Sequence, residues 1–252
     1  MNINERKPED VLKPEFVQAY KALHQDIWLR LVHVHTNIIV LDKIQQFPFE
    51  HIYAPQDNVF WSMAYSNFYG VSVILLHTLM NDQADQSHTL NKFKNTLLAN
   101  WLIKSYRDNL KAQLKTAKFD TQIKHIGGNI TQLRNKVFAH RFAASDGTLS
   151  TKSLPRLPLP ELRAYYEAVE NLFRACSFGA EYVTTFYLEG TVRGQPVKKD
   201  IEQILDLIVK NSPWLNQPER RGQFWPVIRK YRSQEQIEEL NRWRRKFGMP
   251  DA

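Results

Sequence analysis

Between Phe16 and Phe47 apolar side chains return every three or four residues, at Phe16, Tyr20, Leu23, Ile27, Leu31, Val34, Ile38, Leu41 and Ile44. A period near 3.6 sets them on one face of an α-helix, whereas a strand alternates its faces at every residue. The spacing predicts one long amphipathic helix, or two in series, and a fold made by burying such stripes against one another. Pro48 and Pro55 bound a loop, and Asp57 or Asn58 is placed to cap a second helix from about Val59 to Met80. That helix is apolar around much of its circumference, at Phe60, Met63, Tyr65, Phe68, Val71, Ile74, Leu75 and Leu79, which predicts a central position.

Helical periodicity continues over Leu90–Leu98 and Trp101–Ala117. Gly127-Gly128 is expected to break the chain, with Asn129 and Gln132 forming a capping box for a helix from Ile130 to about Phe142. A Ser-, Gly-, Thr- and Pro-rich loop follows over 143–158. Pro160 suits the first turn of a further helix, whose stripe of Leu162, Tyr166, Val169, Phe173, Cys176, Ala180 and Val183 runs to about Leu188. Beyond Gly190 and Gly194, helices are expected over Ile201–Val209 and Glu235–Phe247, separated by Pro213, Pro218 and Pro226. With only 9 glycines in 252 residues, a turn-rich sandwich or barrel is disfavoured. The expected fold class is therefore all-α, with one helical domain over residues 1–195 and a C-terminal helical extension, 196–252, without an assigned role.

Charge divides the chain. Residues 1–90 carry a net −4, residues 91–141 a net +9 and residues 142–252 a net +3. In the basic segment Asp108 and Asp120 are the only acids, and the cationic excess of the chain, +8, is concentrated there. Such a concentration suits a polyanionic partner, because phosphate contacts supply most non-specific nucleic-acid affinity; a solvated basic face without a partner is the plainer alternative. Lys104, Arg107, Lys111, Lys115 and Lys118 recur three to four apart on one helical face. Cys176 is the single cysteine, which excludes a disulfide framework and a multi-cysteine metal site. The polar N-terminus and the shortness of the most apolar run, 71–76, lead to the expectation of a soluble, cytoplasmic protein without a membrane segment.

Several catalytic arrangements are missing from the sequence: a phosphate-cradling Gly-rich loop with Lys-Ser/Thr, a His-Glu-x-x-His helix and a Gly-x-Ser-x-Gly elbow. Asp82 and Asp85 sit in a turn-like stretch, and His33 and His35, two apart, point to different faces of a helix. His24, His51, His77, His88 and His125 show no partner at the level of sequence. The segment Gln132-Leu133-Arg134-Asn135-Lys136-Val137-Phe138-Ala139-His140-Arg141 gathers different chemistry. RNA cleavage by internal transesterification requires a base for the 2′-hydroxyl proton, an acid for the leaving 5′-oxygen and stabilisation of phosphorane charge. His140 can move protons near neutral pH, Arg134 can fork onto phosphate oxygens, and Asn135 can orient either. Taken alone, Arg134 would suit a carboxylate at an interface and His140 a helix C-terminus. On one helix, positions six apart differ by roughly 120°. Either the helix ends near His140, or a second copy of the motif across a two-fold axis completes the site. Trp101 and Tyr106 offer rings able to stack bases, burial being the commoner fate of such rings.

Arg134-Asn135 followed by His140 resembles the Arg-polar-x(n)-His signature of the HEPN superfamily. Phe60-Trp61 opening an apolar helix that closes as Leu79-Met80-Asn81-Asp82, then Thr89-Leu90, is similar to the abortive-infection branch of that superfamily, as is Ala139-His140-Arg141 after the motif. The likeness covers roughly residues 15–190. It implies a HEPN-like up-and-down helical bundle, a homodimer with facing motifs and metal-independent RNA cleavage leaving a 2′,3′-cyclic phosphate, with no cofactor. Arg134, Asn135 and His140 carry over as catalytic, with Lys136, Arg141, Lys104, Arg107, Lys111 and Lys124 as RNA-binding. The implied setting is a toxin or phage-defence effector, with a cognate antitoxin or regulatory protein as a partner. The alternative it implies is a non-catalytic module binding a nucleotide, RNA or a protein.

Overall fold

The computed structural model describes residues 3–46, 59–81, 88–143, 159–179, 191–192, 195–196, 204, 207, 234–246 and 251. Contacts divide the chain into two compact units, one of residues 1–39 and 67–187, the other of 40–66 and 188–252. The described elements are all helices apart from one short hairpin in the second unit and a single β-bridge, Leu12–Leu102, and none of the helices is long and apolar enough to cross a membrane.

The main helices are α1 (Pro8–Val11), α2 (Val17–Gln46), α3 (Val59–Asn81), α4 (Leu90–Thr96), α5 (Lys104–Thr116), α6 (Phe119–Ala143), α7 (Leu159–Ala175) and α8 (Gln234–Lys246). A π-turn, Leu97–Trp101, extends α4. The hairpin pairs β1 (Thr191–Val192) antiparallel with β2 (Gln195–Pro196). The first two predicted helices are found as α2, a single helix, and α3, both within a residue or two of their expected ends. In the second unit α8 matches the expected Glu235–Phe247 helix. The caps at Asp57 or Asn58, the loop over 144–158 and the Ile201–Val209 helix (positions 204 and 207 aside) lie outside the described residues.

In the first unit the stripe of α2 is buried as predicted: Tyr20, Ile27, Leu31, Val34 and Ile38 lose nearly all solvent contact. It meets Phe93 of α4 and Phe173 of α7 in an aromatic cluster, with Tyr20 5.7 Å from Phe93 and His24 4.5 Å from Phe173 between ring centres. Such pairs contribute about 0.5–1.5 kcal/mol each beyond their burial.

Two boundaries differ from expectation. The Gly127-Gly128 pair does not break the chain; α6 runs through it without interruption, so no helix begins at Ile130. Gly127 is there for close approach. A Cβ at that position would stand 2.6 Å from the Asn81 Oδ1 of α3, and Asn81 Nδ2 donates to Gly127 O at 2.8 Å. The helix tolerates the pair because Phe119, Ile123, Ile126, Ile130 and Leu133 give it one continuous buried stripe, whose burial outweighs the propensity loss of about 1 kcal/mol per glycine. Conversely, α7 stops at Ala175, well short of Leu188. Gly179 takes a φ of 85°, and Asn4 Nδ2 donates to the terminal carbonyls of Arg174, Ala175 and Ser177, at 3.2, 3.2 and 2.7 Å. A residue remote in sequence thus caps the helix, and local periodicity carries no trace of it.

Cys176 lies at this end, fully buried, and burial pushes its thiol up to about 12. A thiol held protonated and enclosed is a poor nucleophile. Native protein is therefore expected to leave Ellmann's reagent unreacted, with one equivalent appearing only in denaturant; rapid labelling of the folded chain would contradict the burial.

Candidate functional site

α6 carries the Arg-Asn-x4-His segment. Its stripe is buried as far as Leu133, after which Arg134 and Asn135 are exposed. The side chains of 136–143, including Lys136, His140 and Arg141, are outside the described part, while the backbone there is helical to Ala143. The helix ends at Ala143, within a residue of the expected Phe142, and its backbone is helical through both Arg134 and His140. Positions 134 and 140 stand about 120° apart and about 9 Å along the axis, one on either side of the line through Val137. One chain therefore does not stack the two positions on one another.

The cations around the segment fall into three groups. Lys104, Lys111 and Lys115 are exposed on α5, whose Leu110 and Leu114 face the core. A two-residue turn leads into α6, with Lys118 in the left-handed region at φ 50°, and Lys124 is exposed on the first turns of α6, about 15 Å along the axis from Arg134. Arg107 differs: it is half-buried and donates from Nη2 to the Ala99 carbonyl at 3.1 Å, so it braces the π-turn. Lys94, in the same basic segment, is not part of its exposed surface. It is buried, pairs with Asp120 and lies over the Phe119 ring at 5.5 Å, joining α4 to α6. Lys111 has Asp108 3.9 Å away, at the edge of ion-pair range.

The two candidate stacking rings are engaged within the fold. Trp101 is half-buried and stacks on Phe16, with centres 5.9 Å apart, and Tyr106 lies under the Arg6 guanidinium at 5.4 Å.

Histidines without a visible partner in sequence acquire one. His24 Nε2 lies 3.0 Å from Ser177 Oγ, and that hydroxyl donates to Phe173 O at 2.9 Å. The serine proton is thereby committed, so His24 is the donor through Nε2–H and the ring is neutral. Burial holds its pKa down at about 3. His88 pairs with Asp26 at 2.9 Å, and Asp26 also takes Arg30 at 2.8 Å. His125 lies 3.3 Å from Asn129, the residue expected to cap. Among the described residues no cluster of three or more His, Cys, Asp or Glu is arranged to hold a metal ion.

Sequence reasoning passed over a cleft of about 390 Å³ along α4 and the π-turn, lined by Thr89, Asn91, Lys92, Asn95, Thr96, Ala99 and Asn100. Helical periodicity assumes 3.6 residues per turn and has no means of anticipating a wider turn. Comparison with protein-family models, with characterised proteins and with solved structures returns no match for this chain.

Proposed function

We propose that this chain is a metal-independent endoribonuclease of the HEPN type, acting as a homodimer. The observation that carries the reading is Arg134-Asn135, exposed just where the buried stripe of α6 ends, on a helix that continues past position 140. Since one chain sets 134 and 140 about 120° apart, a phosphodiester held between guanidinium and imidazole is best served by two copies meeting across a two-fold axis. Arg134 grips the scissile phosphate and neutralises charge as the phosphorane forms. His140 takes the 2′-hydroxyl proton; the 2′-oxygen attacks phosphorus and the 5′-oxygen leaves with a proton from the partner's imidazole. A 2′,3′-cyclic phosphate and a 5′-hydroxyl remain. Asn135 aligns these groups. Lys104, Lys111 and Lys124 guide the strand, and Lys136 and Arg141 add positive charge beside the motif. Arg107, tied to Ala99, contributes to the surface mainly by holding it in shape. A cytoplasmic role as a toxin or abortive-infection effector, restrained by an antitoxin or other regulator, follows from the same resemblance.

Purified protein incubated with a structured RNA in excess chelator is expected to produce 2′,3′-cyclic phosphate ends. Arg134→Ala and His140→Ala should each lower the rate by about a hundredfold or more while circular dichroism stays native. Cleavage that persists unchanged in both variants identifies a contaminant and removes the proposal. No cleavage of any RNA by wild type, with a nucleotide or protein co-purifying, points to a binding module in its place.

A further inference from the structure

Two residues between α5 and the Arg134 segment are poor choices for the fold. Lys118, in the turn between α5 and α6, is the one residue other than glycine with a positive φ among the described residues, at 50°. Its backbone is fixed on both sides. Lys118 N donates to Lys115 O at 3.0 Å, and Lys118 O accepts from Gln122 N at 2.9 Å. A residue with a Cβ is strained in this left-handed region, and glycine or asparagine is the usual occupant at the end of a helix. No contact offsets the strain, because the Lys118 side chain is exposed and makes no ion pair or side-chain hydrogen bond among the described residues.

Gly128 is the reverse case. It is exposed in the interior of α6, where glycine is the poorest residue after proline, and a Cβ there would meet nothing within 4 Å. Asn81 accounts for Gly127, and no neighbour accounts for Gly128.

Both residues lead to the same place. At 100° per residue Thr121, Lys124, Gly128, Gln132 and Asn135, all exposed, fall within about 80° of one another on the side of α6 away from its buried stripe. Lys118 stands at the head of this ridge and Arg134-Asn135 at its far end. Gly128 leaves a bare gap, about 6 Å along the axis from Lys124 and about 10 Å from Asn135, where a ligand's backbone can approach the helix closely. Asp120, beside the head of the ridge, is paired with Lys94. A helix that lies on a membrane sets apolar side chains beside its lysines, and this ridge has none. A platform that reads bases needs rings, and Trp101 and Tyr106 are engaged within the fold. Cations, neutral polar groups and a gap suit one sugar-phosphate strand, held by its phosphates without a reading of its bases.

We propose that the outward ridge of α6 is the track of a single RNA strand, with phosphates at Lys118 and Lys124 and the closest approach to the helix at Gly128. The track rests on the ribonuclease reading for the strand's destination at Arg134.

Fluorescence anisotropy with a single-stranded 2′-O-methyl oligonucleotide, which has no 2′-hydroxyl to attack, measures the track apart from cleavage. Lys118→Gly should act in two directions. It should raise Tm by about 2–4 °C as strain is relieved, yet weaken binding about threefold to tenfold and flatten the slope of log affinity against log salt by about 0.7. Gly128→Leu fills the gap with a side chain that favours helix and points to solvent. It should keep the native circular dichroism spectrum and lose about tenfold or more in affinity, with Gly128→Ala between it and wild type. Unchanged affinity in either Lys118→Gly or Gly128→Leu overturns the track, even where the wild type cleaves RNA. So does tighter binding of a duplex of the same length, or no binding by the wild type. Binding with these dependences in a protein that cleaves no RNA removes the ribonuclease and leaves the track.

Discussion

Acidification from pH 6.5 toward 3 is expected to remove about 4–5 kcal/mol of folding stability through His24 alone. The ring is 0% exposed, set among Tyr20, Phe93 and Phe173, and burial holds its folded pKa at about 3, below the ordinary 6.5. In that window the unfolded chain binds a proton that the native chain refuses, so stability is complete above pH 6.5 and falls as pH drops. Once charged, the imidazolium would have to donate from both nitrogens, while the serine beside Nε2 already serves as its acceptor. Urea unfolding at a series of pH values between 7 and 4 measures the effect. Carboxylates titrate in the same range, so the comparison is with His24→Phe, which retains an aromatic ring and lacks the titrating group. Below pH 6 the wild type should lose about 1.4 kcal/mol per pH unit more than the variant. Parallel curves for the two proteins would show that His24 does not control acid stability.

Adjacent glycines in α6 are expected to answer substitution with opposite sign. At Gly128 nothing lies within 4 Å of an added Cβ, so Gly128→Ala should stabilise by about 0.5–1 kcal/mol through helix propensity and a less flexible unfolded chain. At Gly127 the methyl meets Asn81 Oδ1 at 2.6 Å. Asn81 must then move, surrendering its bonds to Gly127 O at 2.8 Å and Thr131 Oγ1 at 3.1 Å. Two such bonds contribute about 1 kcal/mol each, and the crowding adds to the loss, so Gly127→Ala should destabilise by about 1–2 kcal/mol after the propensity gain. The two variants would stand about 2–3 kcal/mol apart, or about 5–10 °C in Tm for a chain of this size. Asn81→Ala vacates the space, and in that background Gly127→Ala should be neutral or stabilising. Equal Tm values for the two single variants would deny the close approach of α3 and α6.

The different fates of these glycines show where sequence reading stops. As a pair they look like a helix breaker, because propensity is the only information a local window contains. The reason for Gly127 lies in Asn81, 46 positions away. The same holds at α7: Leu162, Tyr166, Val169 and Phe173 foretold its buried face correctly, but its end is set by Asn4, some 170 residues earlier. Within the candidate site the type and spacing of Arg134, Asn135 and His140 were legible, and so was the general basicity around them. Which cations are available was not. Lys94 and Arg107 both belong to the basic segment, yet one is buried against Asp120 and the other braces a carbonyl.

By itself the sequence determined that the described residues are helical, where α2 and α3 run, and which segment concentrates charge with an imidazole. These follow from side-chain periodicity and composition, which act over one or two turns. Tertiary structure alone decided that α6 is a single helix, that α7 stops at Ala175 and that His24 is buried neutral against Ser177. Each of these depends on a hydrogen bond or a close approach between residues far apart in the chain, and such a partner has no signature in either local neighbourhood.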